Sequence, residues 1–170
     1  MTSLIVRKIE PVDVARCEEI LRALPEWFGI EDALVQYVRD LSEMQTHVAE
    51  VSGRVVGVVA VRNHNRYSAE IHVIGVHPEH HRRGIGRALV EHVDRNLQAR
   101  SVEFLQVKTL GPSRPNAHYE RTRRFYEQLG FRALEENHLW GPANPCLIMI
   151  KHLDGGGAVA QPPAALDEPR

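Results

Sequence analysis

The stretch Val76-His77-Pro78-Glu79-His80-His81-Arg82-Arg83-Gly84-Ile85-Gly86-Arg87-Ala88-Leu89 constrains the fold of this chain more than any other. A β-branched apolar run precedes it. Apolar residues at Ile85, Leu89, Val93 and Leu97 then recur at helical spacing. The order is strand, loop, helix, with Gly84 and Gly86 where the loop turns into the helix. The first N–H groups of a helix have no intrahelical acceptor, and the helix dipole puts positive potential behind them. Such a junction is an anion site, and a pyrophosphate fits it. Arg82, Arg83 and Arg87 add charge at its rim. A dinucleotide-type Gly-x-Gly-x-x-Gly is not completed, because Leu89 stands at the third position, and no Gly-Lys-Ser/Thr follows as in a nucleotide P-loop.

The rest of the chain reads as alternating short elements. Leu4 to Ile9 is a first strand. Pro11 and Asp13 open a helix with Val14, Cys17, Ile20, Leu21 and Leu24 on its apolar side, ended by Pro25. Ile30 to Met44 is a second helix, carrying Ala33, Leu34, Tyr37, Val38 and Leu41 on one side. Thr46 to Val51 and Arg54 to Val61 are β-branched runs joined by Ser52-Gly53, a tight hairpin. Ala69 to Val76 is the strand before the glycine loop. After the long helix come a strand over Val102 to Lys108, a helix over Tyr119 to Leu129 capped by Gly130, and strands over Phe131 to Leu134 and Cys146 to Leu153. The order is strand, two helices, three strands, helix, strand, helix, two strands. It is mixed α/β, without the regular alternation of a doubly wound sheet.

Composition sets the outer limits. A chain of 170 residues is one domain with a full core, here residues 1–153. From 154 to 170, glycines, alanines and prolines without apolar period read as a disordered tail. Cys17 and Cys146 are far apart and build no disulfide framework, the N-terminus carries no basic leader, and a cytoplasmic protein is expected. No apolar run reaches the ~20 residues of a membrane helix. A formal charge of −1 argues against a general nucleic-acid binder. The histidines lack metal-ligand spacing: there is no His-Glu-x-x-His and no Cys-x-x-Cys, so no metal is expected.

A second segment, Arg123-Arg124-Phe125-Tyr126-Glu127-Gln128-Leu129-Gly130-Phe131, lies downstream of the glycine loop. The pair, in this order and spacing, resembles the GNAT superfamily of acetyl-coenzyme A-dependent N-acetyltransferases. The resemblance covers about Leu4 to Leu153. It implies a GNAT fold: a mostly antiparallel sheet of about seven strands, splayed between the fourth and fifth, with about four flanking helices. It also implies acetyl-coenzyme A as cosubstrate. The pyrophosphate would sit on His81, Arg82, Arg83, Gly84, Ile85, Gly86 and Arg87, with His81 at a loop position where the family has Gln or Arg. The resemblance also implies that the main chain from Ile74 to Val76 pairs with the pantetheine arm and polarises the thioester carbonyl. Side-chain identity would then be nearly free, as Gly75 in this run is consistent with. Many relatives carry an asparagine seven residues before the tyrosine. Tyr119 stands there in this chain, and Asn116 is the nearest substitute.

Amide formation sets the remaining needs. An alkylammonium with pKa about 10.4 has no lone pair at neutral pH, so the site needs a proton acceptor, an oxyanion stabiliser and a proton donor for the leaving thiolate. Tyr126 matches the family's tyrosine and is the candidate acid. Glu70, in Ala69-Glu70-Ile71, matches a glutamate that serves as base in some relatives. His72, two residues on along the same strand side, is the alternative base or else a packed core histidine. Trp27, Phe28, Tyr37, His72 and Trp140 are the candidate acceptor-binding residues. The leading reading is direct acetyl transfer to a small-molecule primary amine. A protein lysine or N-terminus is the first alternative, and a non-catalytic coenzyme A sensor the second. Neither nucleic acid nor membrane is expected as a partner, and a homodimer is compatible with this reading.

Overall fold

Strand β3 (Arg54–Asn63) is valine-rich and buried along nearly its whole length. A strand buried on both faces belongs in the middle of a sheet covered on both sides, and that is where the computed structural model puts it. The structure describes residues 3–154. The tail expected to be disordered lies outside the described residues, apart from Asp154.

In chain order the elements are β1 (Leu4–Lys8), α1 (Val14–Arg22), α2 (Glu31–Glu43), β2 (Gln45–Val51), β3, β4 (Ser68–Val76), α3 (Ile85–Ala99), β5 (Phe104–Leu110), α4 (Ala117–Gln128), β6 (Arg132–Asn137) and β7 (Cys146–His152). Short 3₁₀ turns precede α1 and α3. The strands form one sheet in the order β1-β2-β3-β4-β5-β7-β6. Every pairing is antiparallel except β4 with β5. The sequence boundaries hold to within about two residues. The exception is β6, which runs to Asn137, three residues beyond the expected end at Leu134. At the β2–β3 hairpin Ser52 and Gly53 both have positive φ, 51° and 78°, as the two-residue turn requires.

One core lies between the sheet and α3 and α4, built from residues such as Val59, Ile71, Leu89, Leu105, Tyr126 and Phe131. The other lies under α1 and α2, with Ile20, Leu21, Leu41, Val48 and Val58. Gly75 belongs to this second contact. A Cβ there would stand 3.1 Å from Leu21 Cδ2 and 3.2 Å from Leu24 Cδ1. The expectation that side-chain identity in this run is nearly free is therefore corrected: α1 packs directly on the β4 backbone, and any Cβ at Gly75 would make these leucine side chains give way.

Where β2 meets α3, the rings of His47 and His92 stand edge to face with centroids 4.5 Å apart. His47 Nδ1 and His92 Nε2 are buried without a partner. Burial, reinforced by the charges of His92 and Lys8, pushes the His47 imidazole down to about 4. An unfolded imidazole, near pH ~6.5, takes its proton first, so protons favour the unfolded chain. The contribution of neutral His47 is complete above about pH 6.5 and drains away as pH falls toward about 4. Urea unfolding should show a loss on the order of 2 kcal/mol between about pH 7 and about pH 4.5, after discounting for partial exposure. His47→Leu should flatten that slope, and an equal slope in both proteins would exclude His47 as its source.

Candidate active site

The glycine loop has the geometry of an anion cradle. His80 N–H donates to His77 O at 2.9 Å and His81 N–H to Pro78 O at 3.1 Å, closing the 3₁₀ turn. The first N–H inside α3 to reach a backbone acceptor is that of Ala88, on Gly84 O at 2.9 Å. Between them, the N–H groups of Arg82 to Arg87 make no hydrogen bond among the described residues. Arg82 and Gly84 have φ of 58° and 76°, which turns successive amides toward one concavity. Gly86 is needed for a different reason: a Cβ there would lie 3.1 Å from Phe125 Cζ, so glycine lets α4 pack against the start of α3.

Two expectations for this loop are corrected. His81 N–H is already used within the 3₁₀ turn, so it is not free for phosphate. The His81 imidazole Nε2 instead lies 2.7 Å from Val76 O and, as donor, ties the loop to the end of β4. Arg83 is not among the residues that border the cleft, unlike Arg82 and Arg87.

From this cradle a cleft of about 910 Å³ runs along β4. The parallel pairing of β4 with β5 covers only Ser68↔Phe104 to Ile71↔Val107. Beyond it β4 continues to Val76, paired with β3 alone, from Gly57↔Val76 to Ala60↔Val73. One edge of Val73 to Val76 therefore carries backbone groups open to the cleft, as an extended ligand arm that adds as a strand requires. The β3–β4 register shifts at this point: Ala60 faces Val73 and Val61 faces Ile71, leaving His72 as the extra residue. A bulge re-aims side chains and breaks strict alternation. Ile71 consequently packs in the α3 core while Val73 packs in the α1–α2 core.

Tyr126 borders the cleft from α4, its ring packed against Phe125 and Phe131 at centroid distances of 5.3 Å. Its hydroxyl makes no hydrogen bond among the described residues, and burial pushes the phenol upward, which keeps it protonated. Thr109 on β5 also borders the cleft, and its buried Oγ1 lacks a partner.

Glu70 is buried and fully engaged. Its Oε2 lies 2.8 Å from His64 Nε2 and 3.3 Å from Gln106 Nε2, and its Oε1 lies 3.2 Å from Lys108 Nζ. Burial pushes the carboxyl up. The Lys108 charge and the hydrogen bonds from Lys108, His64 and Gln106 outweigh it and hold the group below the ordinary carboxylate range. These contacts favour a permanent carboxylate over a proton carrier.

His72 is not a core histidine. It borders the cleft, and its Nε2 lies 2.7 Å from Asp40 Oδ2 on α2. Tyr37 packs edge-on against it at 5.3 Å, and Phe28 against Tyr37 at 5.7 Å. Trp27 donates from Nε1 to Thr122 Oγ1 at 2.9 Å, joining the segment after α1 to α4. Trp27, Phe28, Tyr37, His72 and Trp140 all border the same cleft, together with Tyr119 and Arg62. Asn116 does not. Its Oδ1 accepts from His118 N at 3.0 Å and Tyr119 N at 3.2 Å as the N-cap of α4, so the proposed substitution for the missing family asparagine is corrected. Asp40, Lys108, Thr109 and Arg62 were missed. For Asp40 a signal existed: a carboxylate three residues after Tyr37, on the buried side of α2. For Lys108 it lay in a strand register that no local pattern reveals.

Residues 42–133, more than half of the chain, match the acetyltransferase (GNAT) domain family, and the chain belongs to that family. An uncharacterized N-acetyltransferase of Chlorobaculum tepidum is 26% identical over 117 residues, 66% of this chain and 65% of that protein, so the match spans just under two thirds of the relative's length. The fold matches the ribosomal-protein-S18-alanine N-acetyltransferase of Escherichia coli with a TM-score of 0.74 at 20% identity, covering 94% of this chain and 99% of that one. It also matches an aminoglycoside 6'-N-acetyltransferase complexed with coenzyme A, with a TM-score of 0.70 at 19% identity, covering 93% and 99%. No helix among the described residues is long and apolar enough to cross a membrane.

Proposed function

We propose that this chain transfers an acetyl group directly from acetyl-coenzyme A to the primary amine of a small molecule. The observation that carries this reading is one continuous cleft. It joins the unpaired amides of residues 82–87, the open edge of β4 and the Tyr126 phenol to these aromatic residues. The amides and the Arg82 and Arg87 side chains hold the pyrophosphate. The Val73 to Val76 main chain receives the pantetheine arm and offers an N–H to the thioester oxygen. Amine attack forms the C–N bond and breaks the C–S bond. Tyr126 gives its proton to the departing thiolate and regains one from the nitrogen of the tetrahedral adduct. Glu70, held as a carboxylate, is proposed here to favour the incoming ammonium electrostatically rather than to take its proton.

Direct transfer is supported by the cysteines. Cys17 is buried, and burial pushes its thiol up to about 12. Cys146 is also buried and raised by burial. Neither is a ready thiolate. A small acceptor is supported by how the loops that border the aromatic residues are braced. The loop between β5 and α4 is tied to the far strands through Gly111 N–H on Pro145 O at 2.8 Å, Arg114 on Ala143 O at 3.1 Å, and Ser113 on Glu136. This braces the segment that carries Trp140. Thiol release from acetyl-coenzyme A should appear with small primary amines and be weak with peptides. A preference for peptide N-termini or lysines would give the protein-acceptor alternative. Coenzyme A binding with no turnover on any amine would leave a sensor domain.

A further inference from the structure

The Asp40–His72 pair is built as a base. A carboxylate only accepts, so the hydrogen on this contact belongs to His72 Nε2 and the lone pair lies on Nδ1. His72 Nδ1 makes no hydrogen bond among the described residues. It is not among the sealed, partnerless nitrogens, which include those of His47, His80 and His92. The ring borders the cleft, so Nδ1 is the nitrogen left for a ligand. Asp40 is fixed in turn: its Oδ1 accepts from Gln36 Nε2 at 2.8 Å, one turn earlier on α2. Both carboxylate oxygens are assigned, the imidazole has one orientation, and the bulge in β4 aims it. A carboxylate buried on an otherwise apolar helix side is costly unless it is paired; here its partner is the one histidine of β4.

We propose that His72, oriented by Asp40, takes the proton from the acceptor amine. This rests on the acetyl-transfer reading of the same cleft. The ammonium passes one proton to Nδ1. The neutral amine attacks the thioester carbon, the C–S bond breaks, and the second proton reaches the thiolate through Tyr126. His72 returns the first proton to solvent. The proton count closes: an ammonium with three hydrogens becomes an amide with one, a thiol gains one, and one leaves to water. Asp40 is a positioning residue that holds the tautomer and offsets the imidazolium charge. The charged and titratable groups around His72 are Asp40 and Tyr37 from α2, Arg62 from β3, and Glu70 on β4 with its Lys108 from β5. Glu70 is the poorer base because a proton on it would break the Lys108 pair and two further hydrogen bonds.

The test compares pH–rate profiles of wild type, H72Q, D40N and E70Q, with the best amine from the thiol-release panel. The wild type should show an acid limb. H72Q should lose that limb, fall about 10²-fold near neutrality, and recover at high pH, where the amine deprotonates unaided. D40N should move the limb to lower pH with KM nearly unchanged, because the imidazolium loses its counter-charge. E70Q should keep the limb even where its rate falls. An H72Q profile that retains the limb overturns the proposal while leaving acetyl transfer intact. A wild type that releases no thiol with any amine overturns both. Imidazole nitrogen chemical shifts give a check independent of turnover and of whether H72Q folds. Neutral His72 should be protonated at Nε2 in the wild type, and a ring protonated at Nδ1 would overturn the assignment.

Discussion

Tyr126→Phe is expected to lower turnover about 10²-fold while leaving coenzyme A binding intact. The substitution removes one oxygen and keeps the ring, which packs against Phe125 and Phe131. The hydroxyl has no protein partner to lose among the described residues, so the fold should not suffer from an orphaned group. Burial raises the phenol and keeps its proton in place until negative charge develops on the leaving sulfur beside it. At a concentration a hundred times its dissociation constant, coenzyme A should stabilise both proteins by about 2.7 kcal/mol. Loss of that stabilisation in the variant would make Tyr126 a binding residue. An unchanged rate would make it only a core aromatic.

The second large effect is expected at the cofactor loop, where two neighbouring glycines should separate. Gly86→Val should abolish most of the stabilisation by coenzyme A and cost about 1–3 kcal/mol of stability, because its Cβ is forced onto the Phe125 ring. Relieving that contact moves the start of α3 and with it the unpaired amides. A Cβ at Gly84 would meet nothing within 4 Å, but its φ of 76° strains any other residue. Gly84→Ala should therefore cost about 1 kcal/mol and keep much of the ligand effect. Thermal shifts measured with and without coenzyme A distinguish the two. Equal retention of the ligand effect in both variants would place the pyrophosphate elsewhere.

Much of this protein was legible in its sequence, and the reason is locality. The Ser52-Gly53 turn, the apolar stripe of α3 and the glycine junction before it are each settled by neighbours a few residues apart. So is the Tyr126 position before the Gly130 cap. Backbone propensity and side-chain period act over that range, and the element order follows from them. The loop chemistry is local too, because its donors are consecutive amides. His81 and Asn116 show where locality misleads. Each stands in the right segment, yet a nearby carbonyl or amide claims it first.

What only the tertiary structure decided is which distant groups meet along the cleft. His72 and Asp40 are 32 residues apart, and Glu70 and Lys108 are 38 apart. Whether such pairs meet depends on strand register and on how α2 lies across the sheet. One extra residue in β4 reverses which face follows it, so alternation counted along the sequence cannot carry an assignment past His72. The sequence by itself determined a GNAT-type chain, with the glycine loop before α3 and the tyrosine on α4 that both border the cleft. Register, the bulge and helix packing decided that Glu70 is locked in an ion pair and that His72 faces the cleft beside a fixed carboxylate. These depend on non-local contacts that no local pattern in the sequence encodes.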